Sequence, residues 1–143
     1  MSVRAQIDAV MVEIYNILST DVGLTSQIKH FYQGMRNVIP DYPSIIISIT
    51  SFDSSLRATN IREEDLQIQI FVYVIDMDNG ENVVRKLACD VIDVLRSNIS
   101  FNGTVYDNGA SPGYTVDIGM ATKGNELPFA AMVEFKCKAT QPR

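Results

Sequence analysis

The sequence predicts an α+β fold: an antiparallel or mixed β-sheet with two main helices packed on one face, and a long, protruding β-hairpin. Three observations predict it. A run with strict apolar alternation spans Leu66 to Val74, and an amphipathic helical pattern follows it. A second helical pattern opens the chain, and strand-like runs occur both before and after the central helix. The length of 143 residues fits a single domain over 1–143.

The central strand has two different faces. Every second residue from Leu66 to Val74 is apolar, so these side chains line one face. The opposite face begins polar, with Asp65, Gln67 and Gln69. It then turns apolar at Phe71, Tyr73 and Ile75. We therefore expect one end of this strand to be half-solvated and the other end to be covered on both sides.

Two helices are predicted. Ser2 is a suitable N-cap for a first helix that ends near Thr20. The spacing of Asp78 and Glu81 has the form of a capping box, which predicts a second helix from about Gly80 to Asn98.

The remaining chain reads as strands and connections. We predict a short strand at 30–34 and longer ones at 45–52, 114–120 and 129–140. Residues 53–60 read as a polar loop with Leu56 and Arg57 at its centre. Because this loop has little apolar surface, we expect it to be mobile in the free protein and to gain contacts with a partner.

Charge and composition restrict the partners. The net charge of −5 arises after residue 62, since residues 1–62 hold five acids and five bases. An acidic chain with a pI near 4.7 is poorly suited to gripping a nucleic-acid backbone, although nucleic acid can still pass nearby. No apolar run reaches the roughly 20 residues of a membrane span. The acids Asp8 and Glu13 exclude a signal peptide at the first helix, so we expect assembly in a cytoplasm and no membrane partner.

Candidate chemical residues give no coherent catalytic set. His30 is interpreted as a strand-edge or surface histidine, and Cys89 and Cys137 as reduced core residues. The run from Asp76 to Gly80 resembles the start of a calcium loop, but its twelfth position is Leu87 rather than an acid. We therefore predict no catalytic, cofactor or metal site.

The order of elements resembles a known family. Its features here are the apolar first helix, Tyr42-Pro43 before Ile45-Ile46-Ile47, a polar loop ending at Arg62-Glu63, and the alternating strand before an aspartate turn and a helix. This pattern is similar to the small tail-terminator, or tail-completion, proteins of tailed bacteriophages. The resemblance implies a six-membered ring, located in the virion, that caps the tail tube, stops its elongation and joins it to the head. It implies a tail-tube protein and a head-completion or neck protein as partners, and no catalytic residues.

Two sets of residues follow as site predictions. The subunit or tail-tube contacts are expected to involve Phe52, Leu56, Arg57, Arg62, Phe71 and Tyr73. Acids that face a DNA channel are expected among Glu63, Glu64, Asp65, Asp76 and Asp78, because an acidic wall repels phosphate; acids that solubilise an outer rim are the alternative. The isolated protein can be monomeric. Rival interpretations are another neck or tail adaptor, or a small α+β enzyme or ligand-binding homodimer with His30 and the acids Asp76 and Asp78 near a cleft.

Overall fold

The structure is a computed structural model that describes residues 2–76, 78–110 and 113–142. The side chains at 57, 141 and 142 lie outside this description. The elements are, in chain order, α1 (Val3–Thr20), α2 (Val22–Thr25), β1 (His30–Gln33), β2 (Ser44–Ala58), β3 (Ile61–Val74), α3 (Gly80–Arg96), β4 (Thr115–Met120) and β5 (Phe129–Pro142). None of the described helices has the length and hydropathy needed to cross a membrane.

The predicted α+β fold is confirmed. The five strands form one mixed sheet in the order β1-β2-β3-β5-β4. Strand β1 runs parallel to β2, and the other three neighbouring pairs are antiparallel.

The two main helices lie against the same face of the sheet, called here the helix face. The buried residues of α1 and α3 form one core cluster with the alternating side chains of β3, from Leu66 to Val74. The predicted inward positions of β5 belong to the same cluster: Val133, Phe135, Cys137 and Ala139 are at most 3% exposed. The period-2 pattern of the sequence therefore located the core correctly.

The helix starts are only partly as predicted. The Ser2 hydroxyl accepts a hydrogen bond from the Ala5 N–H and caps α1, as expected. The capping box at α3 is wrong, because Asn79 is the N-cap and provides no side-chain hydrogen bond. Asp76 is used instead, since its carboxylate accepts the backbone N–H groups of Asp78 and Asn79. The Asp76 carboxylate thus stabilises the turn before α3 and does not cap the helix.

The predicted loop at 53–60 is also wrong, because β2 continues through it as far as Ala58. Residues 59 and 60 form the turn, and Asp53 pairs with Asp65 across β2 and β3. Aspartate is a poor strand former on its own, and a run of small polar residues has no apolar alternation that would predict a strand. The pairing with β3 supplies main-chain hydrogen bonds that the local sequence does not reveal, so β2 and β3 form a hairpin with a tight turn. Strand β5 flanks β3 over its full length, so this region has three strands.

The far face of the sheet, opposite the helices, carries a smaller apolar cluster. Ile39, Ile46 and Tyr73 are buried there, with Phe71 and Tyr42 packed against them. The segment before β2 therefore covers the apolar end of β3 within the same chain. Tyr73 is only 2% exposed, so its predicted contact with another subunit is a wrong assignment, and Phe71 is already half-buried.

The segment between α3 and β4 closes the helix face near β5. Phe101 is fully buried and packs edge-on against Phe135. The Asn108 amide donates to the carbonyls of Leu95 and Asn98 and so satisfies the end of α3.

The two cysteines differ. Cys137 is buried in the core as predicted, whereas Cys89 is exposed on α3 and is not a core residue.

Candidate assembly surface

The sheet has a free edge on β2. Strand β1 pairs only with Ser44–Ile47, and the chain leaves the sheet at Gly34, whose φ is +87°. Residues 48–58 of β2 therefore pair with β3 on one side, and no other described strand lies on their second side. The end of the sheet formed by residues 50–58, 61–65 and 138–142 is called here the outer half. The end formed by residues 44–49, 66–74 and 129–137 is the inner half.

The free edge of β2 contains a regular stretch between two irregularities. Register shifts occur between Ile49 and Ser51 and between Leu56 and Ala58. Residues 51–56 between them pair in unbroken register with β3, and all six are exposed. Proteins usually protect such an edge with lysine, proline or a covering segment. Residues 51–56 contain no lysine or proline, and no described strand pairs with their outer side.

Two large apolar side chains stand beside this edge. Phe52 and Leu56 lie on the helix face and are 52% and 56% exposed. Phe52 also borders a groove of about 410 Å³ against the start of α1, lined by Val3, Arg4, Ile7 and Asp8. Both residues are predicted contact residues. An exposed apolar pair next to an open main-chain edge is typical of an interaction surface.

A buried ion pair underlies the same surface. The Glu64 carboxylate is fully buried and accepts hydrogen bonds from the Arg62 guanidinium and the Ser54 hydroxyl. Its second oxygen has no partner among the described atoms. Glu64 is therefore not a channel-facing acid, and that assignment is wrong. Arg62 is mostly covered, since only 18% of its side chain is exposed. It can therefore offer only a small area to a partner, although it was predicted as a contact residue.

The other predicted acids separate into two groups. Glu63 and Asp65 lie on the far face of the outer half, and the Lys138 ammonium is 3.8 and 3.9 Å from their carboxylates. Asp76 and Asp78 follow the opposite end of β3, roughly 35 Å away at about 3.3 Å per residue. The two groups cannot act as one cluster. The backbone N–H groups of Asn79 and Asp78 lower the pKa of Asp76.

The far face has a net negative charge. The described strand side chains on this face include five acids and two lysines, a net of −3. They are Asp53, Glu63, Asp65, Asp117, Glu134, Lys136 and Lys138. A shallow polar groove of about 260 Å³ runs between Ser51, Asp65 and Lys138.

Another apolar groove lies at the inner end of the sheet. It has a volume of about 310 Å³ and is lined by Ile75, Asp76, Met120, Leu127 and Phe129. Met120 and Leu127 are more than half exposed. The groove is not apparent from the sequence, where Met120 is only one apolar position of a predicted strand.

The residues considered for chemistry are dispersed. His30 lies on the edge strand β1 as predicted, with its Nε2 atom 3.1 Å from the carboxylate of Asp41. It is about half exposed and contacts Asp41 rather than Asp76 or Asp78. Within the described ranges, no group of three or more His, Cys, Asp or Glu side chains is arranged to hold a metal ion. The side chain of Arg57, a predicted contact residue, lies outside the described structure.

Comparisons with known proteins do not assign the chain to a family. No protein-family model matches the sequence, and no curated protein matches it.

Proposed function

We propose that this chain is a structural subunit that assembles into a ring, a hexamer by its resemblance to phage tail terminators. The ring caps a bacteriophage tail tube, ends its elongation and joins it to the head or neck. The free edge of β2 with the exposed side chains Phe52 and Leu56 carries the proposal. A strand edge and an apolar pair on the same segment favour binding of another protein through main-chain hydrogen bonds and side-chain burial.

The charge of the far face supports a position around DNA. Its net of −3 comes from side chains that no helix covers. In a ring whose far face lines the channel, these acids repel phosphates within about 8–10 Å at physiological salt. DNA then passes without being bound. The channel acids of this proposal are Glu63 and Asp65, together with Asp53, Asp117 and Glu134.

The proposal is tested by mass and microscopy. The purified chain is measured by light scattering over a range of concentrations. It is then mixed with tail tubes formed by the tube protein encoded in the same phage genome, and the mixture is examined by electron microscopy. We expect a ring at one end of each tube and tubes that stop growing. Tubes that elongate normally and carry no ring would show that the chain has another role.

A matched pair of variants locates the surface. Phe52→Asp with Leu56→Asp places charges on the proposed contact and should abolish ring formation. Val22→Asp with Ile99→Asp changes two residues that are 81% and 78% exposed on other parts of the surface. This control should assemble normally. A stable dimer of fixed mass that ignores tail tubes and binds a small molecule would instead favour the enzyme or ligand-binding interpretation.

A further inference from the structure

Two of the open stretches along the edges of the described sheet have equal length. One is the regular stretch 51–56 of β2, and the other is β4, Thr115–Met120, which pairs with β5 on one side only. Each has six residues, and β4 is exposed at five of its positions. A molecule with two different open edges can bind copies of itself head to tail, which is the arrangement that builds rings.

The strand directions determine how such edges meet. Strand β5 runs antiparallel to β3, as β2 does, and β4 runs antiparallel to β5. Strands β2 and β4 of one subunit therefore point in opposite directions. Rotation about a ring axis keeps the up or down sense of each strand. The β2 edge of one copy and the β4 edge of the next must consequently pair antiparallel if the sheet continues from subunit to subunit.

The two faces of the sheet restrict the register. Phe52 and Leu56 lie on the helix face of β2, while Val116, Ile118 and Met120 lie on the helix face of β4. Directly opposed residues share a face, and a slip of one residue would bring apolar side chains to the far face. Phe52 must therefore oppose Met120, Ile118 or Val116.

Charge and overlap select among these registers. Opposing Phe52 to Ile118 would place Asp53 directly against Asp117, which is unfavourable. Opposing Phe52 to Val116 would leave half of β4 beyond the bulge of β2. Opposing Phe52 to Met120 places Asp53 against Gly119 and Leu56 against Val116. Met120 and Phe52 are each about half exposed in the subunit, so both lose apolar surface to water in this register.

We infer that residues 51–56 of β2 pair antiparallel with β4 of a second copy of this chain, with Phe52 opposite Met120 and Asp53 opposite Gly119. The inference rests on the proposed ring and names the contact that closes it. Fully burying an aromatic side chain removes 150–250 Å² from water, so half-exposed Phe52 contributes roughly 100 Å². One six-residue contact is thus far below the about 1,200 Å² of a stable complex. Pairs should dissociate, and a closed ring on a tail tube should persist.

The pairing also sets the tilt of the strands. Asp53 aligns with Asp65, whereas Gly119 aligns through Ala130 with Tyr73, eight residues further along β3. Each subunit therefore shifts the contact by roughly 26 Å along the strand direction. Across the strands, each subunit contributes four interstrand spacings, roughly 19 Å in total. A flat closed ring absorbs such an offset only when its strands tilt by roughly 50° from the ring axis.

Cysteine cross-linking tests the pairing. In a Cys89→Ser background, Asp53→Cys and Gly119→Cys are combined in one chain. A Cβ at Gly119 has nothing within 4 Å, so the substitution has room in the subunit. Mild oxidation, or a short bismaleimide, should give a ladder of linked species that ends at the ring. Ser55→Cys with Asp117→Cys, a second pair in the same register, should behave alike.

The controls separate register from proximity. Ser54→Cys with Gly119→Cys places the thiols on opposite faces and should link several-fold less. Each single variant should stay unlinked. Linking by Asp53→Cys alone would show that two β2 edges meet each other, which overturns the inference. Rings or concentrated solutions in which the double variant does not cross-link also overturn it. Mass and microscopy of the same samples decide independently whether a ring forms, so the proposed function can survive that result.

Discussion

The inner and outer halves of the sheet are built from the same strands but differ in burial. Residues 44–48 of β2 are all buried, whereas residues 51–56 of the same strand are all exposed. On the helix face of β3 the change is one of chemistry, because the buried apolar side chains from Leu66 to Val74 are preceded by the buried carboxylate of Glu64. The inner half is covered by both helices, and the outer half only by the start of α1 and the segment after α3.

This difference shows that strand length alone does not indicate how much core a protein has. Strand β2 spans 15 residues, well beyond the usual five or six. Only its first part stabilises the domain through packing. The remainder keeps strand geometry through pairing with β3, and its outward edge stays available.

The largest effect is expected from a core substitution in the inner half. Ile70→Ala removes a fully buried side chain and should lower the free energy of unfolding by about 3–4 kcal/mol. Phe52→Ala, in the outer half, removes more atoms. It should nevertheless lower the free energy of unfolding by less than about 1 kcal/mol, because the Phe52 side chain is half exposed. Urea unfolding of both variants measures this. Equal losses would mean that the outer half contributes to the core as strongly as the inner half.

The buried ion pair comes next. Glu64→Ala leaves the mostly covered Arg62 guanidinium without its carboxylate and should cost about 3 kcal/mol. Replacing both partners, as Glu64→Leu with Arg62→Met, removes both charges and should restore most of the loss. The double variant is the control, measured by the same urea unfolding. If it is as unstable as Glu64→Ala, the lost stability does not come from separating the Arg62 charge from the Glu64 carboxylate.

The cysteines report whether the halves open separately. Burial is the main reason that the pKa of Cys137 rises to about 12, with Asp107 and Asp65 adding to it, so little thiolate is present at pH 8. A thiol reagent should modify exposed Cys89 at once and Cys137 only when its surroundings open. Cys137 is the last inner-half residue of β5 and pairs with Leu66 at the border with the outer half. If the outer half opens separately and exposes this border, labelling of Cys137 in Cys89→Ser should need less free energy than global unfolding. Equal free energies would show that the sheet opens as one unit.

A smaller effect concerns DNA passage along the far face. Asp65→Lys should change stability by less than about 1 kcal/mol, because the ion pair with Lys138 is long, at 3.9 Å, and both side chains are nearly half exposed. In assembled particles it should slow DNA ejection, most strongly at low salt. Glu81→Lys removes an exposed pair with Arg85 on α3, away from the proposed contact, and serves as the control. Ejection that is equally fast for both variants at every salt concentration would remove these acids from DNA passage.

The smallest effect is at the turn before α3. Backbone N–H groups of Asn79 and Asp78 hold the pKa of Asp76 below its ordinary value of 3.8. A lowered folded-state pKa gives stability that is present above pH 3.8 and is lost as the pH falls through the folded value. The free energy of unfolding of Asp76→Ala should therefore lie below that of the wild type at neutral pH, and the difference should become smaller in acid. Urea unfolding between neutral and acidic pH measures this. A difference that is constant with pH would contradict this origin.

Much of the fold follows from residue periodicity. The alternation from Leu66 to Val74 and in β5 predicted which side chains face the helices, because burial on one face leaves that pattern in any sequence. The extension of β2 could not be predicted, since residues such as Asp53 and Ser54 become a strand only through their partner β3. The burial of Glu64 depends on where Arg62 and Ser54 lie in three dimensions. Among the contact predictions, Phe52 and Leu56 are exposed as expected, and whether they bind a partner stays a prediction.

The pairing of β3 has a consequence for folding. Its contacts with β2 are local, since Ala58 pairs with Ile61, whereas its contacts with β5 join residues as far apart as Ile61 and Pro142. Closing such long loops is entropically costly, so the hairpin should form before β5 docks. Until β5 docks, β3 has an open edge of its own. A partly folded subunit can therefore bind strands of other chains at β3, which β5 excludes in the folded subunit. Refolding at high concentration should therefore lose material to aggregates, while dilute refolding recovers subunits competent to assemble.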